Sequence, residues 1–275
     1  MRHPVITSLF YILLSFTTSP VLSEDLIYQW IEQNKFYFSD RPHADARIIT
    51  LPETQSHYKI KRVIDGDTVL LDDGTKVRLL GINTPEMANR HQSAEAGGKR
   101  AKQWLNEQLQ GQIVRLETDV EKTDKYGRTL AHIFTDADVH INAQLVKLGL
   151  AAVSLYPPNL KYANALITAQ EIAEKHQLGI WNDAAYAVKA IEQLNRDNQQ
   201  GWQRLTGVVN NLRQTRQYYY LEFSGNFNAR IHRSNAQLFP ELTNFVGQTV
   251  EVRGWINQQQ GQLSMLIRHP DAIRL

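Results

Sequence analysis

Two short stretches decide the fold: residues 63–68 read Val-Ile-Asp-Gly-Asp-Thr, and residues 78–86 read Arg-Leu-Leu-Gly-Ile-Asn-Thr-Pro-Glu. Each joins a run of apolar residues to turn-forming residues, which is typical of a strand that ends in a loop. Strands are predicted around them at Lys59–Ile64, Val69–Leu71 and Lys76–Ile82, with a hairpin turn at residues 72–74. Pro85 ends the third strand because proline has no N–H for a sheet ladder.

The pattern continues downstream as a mixture of helices and strands. Ala101, Leu105 and Leu109 recur at helical spacing and predict a helix over Ala94–Leu109. The other predicted elements are strands at Ile113–Thr118 and Thr129–Phe134, a turn at 123–128, and helices at Ile141–Leu148 and Asn159–His176. The order indicates an α+β chain that is mostly β.

Together these stretches resemble the staphylococcal nuclease (thermonuclease) family from about Tyr58 to Trp181. The motifs that carry the resemblance are residues 63–68, residues 78–86, Thr123-Asp124-Lys125-Tyr126-Gly127-Arg128, Gly149-Leu150-Ala151 and Gly179-Ile180-Trp181. The resemblance implies a five-stranded barrel of the oligonucleotide-binding (OB) type with about three helices.

The residues themselves suit phosphodiester hydrolysis, which needs an attacking water, a proton acceptor and positive charge at the phosphate oxygens. Arg78 and Arg128 have the forked guanidinium that matches two phosphate oxygens. Asp67 offers a hard oxygen ligand for a cation such as Ca²⁺. Glu86 has a carboxylate that can orient or deprotonate the water.

The family resemblance implies a role for each matching position. It implies catalytic roles for Arg78, Glu86 and Arg128, metal ligation by Asp67, Asn83 and the backbone carbonyl of Thr84, and substrate binding by Asp124, Lys125, Tyr126 and Tyr156. It also implies Ca²⁺ as the metal, and DNA and RNA as substrates, best when single-stranded. The implied products carry 3′-phosphate and 5′-hydroxyl ends.

Asn83 departs from the family pattern, which has a second metal-binding aspartate there. An amide oxygen is a legitimate Ca²⁺ ligand, but the site loses one negative charge, so we expect weaker Ca²⁺ binding, and Mg²⁺ or Mn²⁺ are alternatives. Two other functions stay open: a nucleic-acid-binding protein that has lost the activity, and an envelope protein that binds a protein partner.

The first residues predict a signal peptide over 1–23. Arg2 precedes an apolar run at Val5–Phe16, and small residues lead to a cleavage point after Ser23. The alternatives are a short membrane anchor or a buried strand. We therefore expect an exported protein, periplasmic or secreted, that has no membrane span after cleavage and is a monomer without an obligatory protein partner. The chain has no cysteine, which excludes disulfides, thiolate metal sites and thiol catalysis.

The mature chain begins with a small β module, predicted over residues 24–56. Two aromatic-rich runs flank Glu32-Gln33-Asn34-Lys35 and predict a hairpin. Tyr28 and Trp30, followed by Phe38-Ser39-Asp40-Arg41-Pro42, resemble the domain of unknown function 4124. That resemblance implies an envelope location and no chemistry.

The end of the chain predicts a second OB-like barrel at 201–275, after the catalytic domain at 57–183 and a linker at 184–200. The predicted elements are strands at Arg204–Asn210, Tyr218–Phe223, Asn228–His232, Thr249–Ile256 and Leu263–Ile267, and a helix at Ser234–Phe245 with Ser234 as its N-cap. Candidate base-stacking residues are Tyr218, Tyr220, Phe227 and Trp255, and candidate phosphate contacts are Arg213, Arg216, Arg230, Arg233 and Arg253. The alternatives are that several aromatics form the barrel core and that the domain docks on the nuclease barrel or on a protein.

Overall fold

The computed structural model describes residues 27–32, 35–39, 41–49, 57–86, 97–194, 201–259 and 261–275. The chain divides into two compact units, Met1–Gln55 and Ser56–Leu275. Among the described residues, no helix has the length and apolar character needed to cross a membrane. The predicted signal peptide lies outside the described residues.

The first unit contains a small antiparallel sheet. Its strands are β1 (Ile27–Glu32), β2 (Lys35–Ser39) and β3 (Arg47–Ile49), in the order β2-β1-β3. Glu32 pairs with Lys35, so the predicted hairpin is confirmed, whereas β3 was not predicted. The Trp30 ring stacks on Tyr37 and on His43, with centroid distances of 5.6 and 4.3 Å.

The second unit begins with a closed five-stranded barrel and three helices, as predicted. Its strands are β4 (His57–Asp65), β5 (Thr68–Leu71), β6 (Lys76–Leu79), β7 (Ile82–Asn83), β8 (Ile113–Glu117), β9 (Thr129–Thr135) and β10 (Ala152–Val153). The helices are α1 (Gly98–Leu109), α2 (Ile141–Lys147) and α3 (Ala163–Lys175). The barrel closes in the order β4-β5-β6-β9-β8, and only β6 and β9 of its pairs run parallel.

Alternating apolar residues fill this barrel and one face of α1 covers it. Val77 and Leu79 of β6 and Ile133 of β9 are almost completely buried. The predicted helical face of Ala101, Leu105 and Leu109 is also buried, in the same core. Burial of apolar surface at about 25 cal/mol per Å² is the main force that holds α1 on the barrel.

Three predicted elements of this barrel differ from the structure by more than two residues or by an interruption. The strand predicted over 76–82 is interrupted at Gly81, whose φ of 74° needs glycine, so β6 and β7 are separate strands. Helix α1 begins at Gly98, and the predicted residues 94–96 lie outside the described residues. Helix α3 begins at Ala163 because the Asn159 side chain is engaged with the backbone of Glu121, accepting from its N–H at 2.8 Å and donating to its carbonyl at 3.1 Å.

Two glycines from separate motifs meet behind the barrel. Gly149 and Gly179 have φ angles of 65° and 53°, and the Ile180 N–H donates to the Gly149 carbonyl at 2.8 Å. A Cβ on Gly179 would stand 2.0 Å from the Gly149 carbonyl oxygen, which is shorter than any van der Waals contact. Both glycines are therefore needed to join the loop after α2 to the loop after α3.

The remaining strands form one large sheet after the nuclease-like barrel. They are β11 (Val188–Ala190), β12 (Trp202–Val208), β13 (Asn211–Gln214), β14 (Tyr218–Glu222), β15 (Phe227–His232), β16 (Thr249–Gln259), β17 (Gln262–Ile267) and β18 (Ile273–Arg274). The order is β11-β12-β16-β17-β15-β14-β13, with β18 beside β16. We call it the C-terminal sheet.

The C-terminal sheet repeats the strand order of the first barrel. Strand β13 follows β12 after two residues, so one stretch of chain supplies both ends of the path β12-β16-β17-β15-β14-β13. Taking β12 and β13 as one bent strand gives five strands in the order of the first barrel, again with one parallel pair, β15 and β17. The sheet has its own apolar core, which includes Leu205, Leu221 and Met265.

Two predictions for this region are corrected. Part of the predicted linker is folded, because residues 184–194 contain β11 and two short 3₁₀ turns, and Ile191 is buried in the C-terminal core. The helix predicted over 234–245 is wrong: the chain forms separate 3₁₀ turns at Arg233–Leu238 and Leu242–Phe245. Pro240 lies between them and cannot donate a helical hydrogen bond, and the first turn is capped by His232 rather than by Ser234.

A buried ionic network holds the C-terminal sheet against α3. Glu174 of α3 accepts a hydrogen bond from Arg253 at 2.6 Å and lies within 3.5 Å of Arg204 and Arg274. Glu251 accepts from the Arg204 Nε at 2.8 Å. Because the Arg253 side chain is only 3% exposed, the prediction that it contacts phosphate is wrong.

Candidate active site

The site begins at the turn between β4 and β5, where Asp67 and Thr84 meet. A Cβ on Gly66 would stand 2.6 Å from the Thr84 hydroxyl, so the glycine permits this close approach. Thr84 donates to Asp67 Oδ2 through its backbone N–H at 3.2 Å and through its hydroxyl at 3.1 Å. The Thr68 hydroxyl donates to the other oxygen, Oδ1, at 3.0 Å. The carboxylate is therefore fixed by three donors.

Arg78 lies at the centre of the same cluster. It stands opposite Thr68 in the sheet, and its Nη2 is 3.0 Å from Asp67 Oδ2 and 3.1 Å from Asn83 Oδ1. Its Nη1 donates to the carbonyls of Leu79 and Ile82 at 2.7 and 3.0 Å. Both Nη atoms of the guanidinium are thus held, and the side chain is 16% exposed. A positive charge fixed in this way is suited to stabilising a phosphate group.

The three predicted metal ligands lie around Arg78. The Asn83 amide donates to the Thr84 carbonyl at 3.1 Å, and Asp67 contacts both Thr84 and Arg78. Within the described ranges, no group of three or more His, Cys, Asp or Glu side chains is arranged to hold a metal ion. The oxygens present, one carboxylate, one amide and one carbonyl, fit a hard cation that takes its other ligands from water and phosphate.

Glu86 lies two residues beyond Thr84, beside the first turn of α1. A Cβ on Gly98 would stand 2.6 Å from the Pro85 carbonyl and 2.9 Å from the Glu86 carbonyl, so glycine lets this helix start pack on the loop. The Glu86 residue is half-buried. The structure therefore places Glu86 in the short segment that follows β7, against the start of α1.

Arg128 and Asp124 form one unit at the turn before β9. Asp124 accepts from the backbone N–H groups of Tyr126 and Arg128 at 2.9 and 3.0 Å, and from Arg128 Nε at 2.7 Å. Partial burial opposes ionisation of this carboxyl, but the hydrogen bonds from Arg128 outweigh it and hold the pKa of Asp124 below its usual value. Asp124, predicted to bind substrate, therefore orients Arg128 in this structure.

The sheet register places the two arginines on one face. Arg78 of β6 pairs with Leu130 of β9, and Arg128 precedes Leu130 by two residues. Side chains two residues apart in extended chain point to the same side, so Arg128 lies on the side of Arg78. Arg78 and Arg128, each held by a carboxylate, therefore lie on one side of these neighbouring strands.

Exposed aromatic residues lie along the edges of this region. The Tyr126 ring is 71% exposed, with Lys125 Nζ 5.0 Å and Arg128 Cζ 5.5 Å from its centroid. Tyr156 is 49% exposed, and the guanidinium of Arg268 lies 4.3 Å from its centroid. Sequence reasoning missed Arg268, which comes from the C-terminal sheet; its only signal was an arginine directly after an apolar strand.

Comparison with known proteins agrees with this geometry. The model of the staphylococcal nuclease homologue family matches residues 76–183. The thermonuclease of Staphylococcus intermedius is 46% identical over 127 residues, which cover 45% of this chain and 75% of the relative. The thermonuclease of Staphylococcus hyicus is 40% identical over 129 residues, or 46% and 76% of the two chains. Endonuclease YncB of Bacillus subtilis is 33% identical over 132 residues, or 46% and 62%.

The first barrel is thus a closed five-stranded barrel of the OB type that carries an Arg78–Asp67 ion pair. The chain belongs to the staphylococcal nuclease family. The residues that the family model matches leave out both the N-terminal sheet and the C-terminal sheet.

Proposed function

We propose that the protein is an exported nuclease that hydrolyses phosphodiester bonds of DNA or RNA, preferring single strands. The observation that carries the proposal is the Arg78 guanidinium, fixed 3.0 Å from Asp67 on the same face as Arg128. The relatives' names, thermonuclease and endonuclease, support the same reaction. The proposed products carry 3′-phosphate and 5′-hydroxyl ends.

The two arginines stabilise the charge that develops on the phosphate. Arg78 is locked by four acceptors and Arg128 by Asp124, so neither has to reorganise when the transition state forms. Removing one such donor typically lowers turnover by about 10²–10³. With these contacts in place, Arg78 keeps its Nε–H, and Arg128 keeps N–H groups on Nη1 and Nη2, to donate to non-bridging oxygens.

Asp67, Asn83 and the Thr84 carbonyl would hold a divalent cation, with Ca²⁺ proposed and Mg²⁺ or Mn²⁺ as alternatives. Such a cation supplies positive charge next to the phosphate oxygens. Glu86 takes a proton from the attacking water as the water oxygen bonds to phosphorus. The bond from phosphorus to the 5′ oxygen breaks, and that oxygen takes a proton from solvent water and leaves as a hydroxyl, while Glu86 returns its proton to solvent.

Digestion of labelled single-stranded DNA and RNA by the mature protein tests this proposal. Parallel reactions contain Ca²⁺, Mg²⁺, Mn²⁺ or EDTA, and the product ends are analysed. Cutting to 3′-phosphate ends in Ca²⁺ and none in EDTA supports the proposal. Cutting only with Mg²⁺ or Mn²⁺ would show that Asn83 has changed the metal.

The second candidate is a nucleic-acid-binding protein that has lost catalysis. Asn83 favours it, since one carboxylate among the three predicted ligands leaves little charge to retain a cation. Folded protein that binds oligonucleotides but cuts none of them with any metal would select this candidate.

A further inference from the structure

One surface of the C-terminal sheet carries polar and aromatic residues in register across four strands. Arg213 pairs with Tyr220, and Tyr220 pairs with Arg230. In the next row, Asn228 pairs with Ser264. Because alternate residues point to opposite sides, these side chains share a face, while Leu221, Ala229 and Met265 between them enter the core. We call it the outer face.

The outer face contains a groove of about 510 Å³. Its lining includes Arg213, Tyr220, Asn228, Arg230 and Ser264. Gln259 and Gln262, at the turn between β16 and β17, form one wall. A groove of this volume accommodates a nucleotide-sized ligand.

Two buried polar atoms in the groove have no hydrogen-bond partner among the described residues. They are Asn228 Oδ1, in a residue only 6% exposed, and Arg230 Nε. A buried polar atom that stays unpaired costs about 1–3 kcal/mol, so native proteins rarely keep one without a purpose. An acceptor and a donor are therefore available to a ligand that enters the groove.

Aromatic rings and arginines alternate on this face. The Arg213 guanidinium lies 4.0 Å from the Tyr220 centroid, and Arg230 lies 5.5 Å from the Tyr218 centroid. Glu222, the acidic residue of the lining, already accepts a hydrogen bond from Arg213 Nε at 2.5 Å. Arg230 makes no ion pair within the described residues, so its charge is available to an anion. Proteins that bind single-stranded nucleic acid combine aromatic rings, on which bases stack, with nearby cationic side chains that contact phosphates.

The outer face leads toward the candidate active site along β17. Ser264 and Leu266 lie on the same side of this strand, and Arg268 follows directly after it. Leu266 and Arg268 line a small pocket together with Tyr156 and Trp255. From Ser264 to Arg268 the extended chain covers roughly 13 Å, about the length of two nucleotides.

We propose that the outer face binds a segment of single-stranded nucleic acid and holds it in line with Tyr156. Tyr218 and Tyr220 stack on bases, Arg230 contacts phosphate, and Asn228 Oδ1 accepts from an exocyclic amine of a base. The proposal rests on the proposed function in that the bound strand is also the substrate, but binding itself does not require hydrolysis. Phe227, predicted to stack on bases, is excluded because it is 2% exposed in the core.

Binding is measured by fluorescence anisotropy in EDTA, with single-stranded DNA and RNA of about 6 and about 20 nucleotides, a range that brackets the site size of one OB fold. The variants are Tyr220→Leu and Arg230→Gln. The matched control is Arg62→Gln, which removes an exposed arginine from β4, a strand of the first barrel that does not line the groove. Thermal melting of each variant shows that it is folded.

We expect each groove variant to weaken binding of the longer strand about tenfold. The control variant should bind this strand like the unaltered protein. Arg230→Gln also lowers the slope of log affinity against log salt by about 0.7, because one phosphate contact is lost. In cleavage reactions with Ca²⁺, both variants should slow cutting of the 6-nucleotide strand less than cutting of the 20-nucleotide strand. The shorter strand can be held by the candidate active site alone.

Folded variants that bind the longer strand like the unaltered protein overturn this inference, whether or not the protein cuts. Weakened binding by both variants in a protein that cuts nothing supports the inference and rejects the proposed hydrolysis. Absence of oligonucleotide binding by the unaltered protein overturns the inference, and would leave a protein partner for this face. The two proposals therefore fail separately.

Discussion

Arg78 Nη2 lies 3.0 Å from Asp67 Oδ2, so the proposed catalytic arginine and the proposed metal-ligating aspartate form one ion pair. The same nitrogen donates to Asn83 Oδ1 at 3.1 Å. The arginine therefore supplies the charge that balances the carboxylate when no cation is bound. A cation that enters must share these oxygens with Arg78, and its affinity depends on how much negative charge the site adds.

Asn83→Asp should tighten Ca²⁺ binding on the order of tenfold. The change places a second carboxylate in the cluster, at the position where Asn83 contacts Arg78. Two carboxylates attract a divalent cation more strongly than one carboxylate does. Calorimetric titration of Ca²⁺ measures the effect. Asn164→Asp, on the exposed surface of α3, is the matched control and should leave the titration unchanged. An unaltered affinity in Asn83→Asp means that Asn83 is not a ligand.

Arg128→Ala should lower turnover by about 10²–10³ while the protein stays folded. The arginine lies at a turn outside the apolar core, so its loss removes a transition-state donor and little packing. Turnover is measured on a single-stranded oligonucleotide at saturating Ca²⁺, and circular dichroism verifies the fold. Near-normal turnover would remove Arg128 from the mechanism.

Asp124→Asn tests whether Asp124 acts through Arg128. The amide cannot accept from Tyr126 N–H, Arg128 N–H and Arg128 Nε with the strength of a carboxylate, so Arg128 loses its orientation. We expect turnover to fall about tenfold or more with a smaller change in KM. The double variant with Arg128→Ala should be no slower than Arg128→Ala alone. Additive losses would show that Asp124 has an independent role.

The strands around Arg78 could be predicted from the sequence because their signals are local, whereas the closed barrel and the cluster around Arg78 were implied by the family resemblance. Asp67 and Asn83 are 16 positions apart, with Arg78 between them, and the hairpins of β4–β7 bring the three residues together. The motifs at Gly149 and Gly179 are also local, and the structure has a loop with positive φ at each of these glycines.

The contacts of the C-terminal sheet could not be predicted because they join distant residues. Glu174 and Arg253 are 79 positions apart, and an arginine in a strand gives no signal of whether it meets a carboxylate or a phosphate. The contact between Arg268 and Tyr156 could not be predicted for the same reason. Pro240 was a readable signal, since proline disfavours a helix that continues through it.

Stability should fall as the pH falls from 6.5 to 4. His132 is buried and His140 is half-buried beside it, with ring nitrogens 3.1 Å apart, and their removal from water lowers the pKa of His132 to about 3 and that of His140 to about 4. Between these pKa values and 6.5 the unfolded chain binds more protons than the folded one, so each histidine contributes a slope of up to about 1.4 kcal/mol per pH unit. Urea unfolding at several pH values measures it.

His132→Gln is the variant for this pH test, because it removes one of the two titrating rings. The pH slope of its unfolding free energy should be shallower than that of the unaltered protein between pH 6.5 and 4. Comparison at pH 8, where both histidines are neutral, isolates the packing cost of the substitution. Identical slopes in the two proteins would contradict the role of this pair.

Glu174→Leu should destabilise the protein by about 3–5 kcal/mol, because it leaves Arg204, Arg253 and Arg274 without the carboxylate that all three contact. Glu171→Leu, an exposed change one turn earlier on α3, is the matched control and should cost less than about 0.5 kcal/mol. Urea unfolding measures both. The double variant Glu174→Leu with Arg253→Met should recover part of the loss, since an apolar pair removes one buried arginine from a network that is left with too few carboxylates. Equal losses in Glu174→Leu and Glu171→Leu would show that the network does not hold the C-terminal sheet on α3.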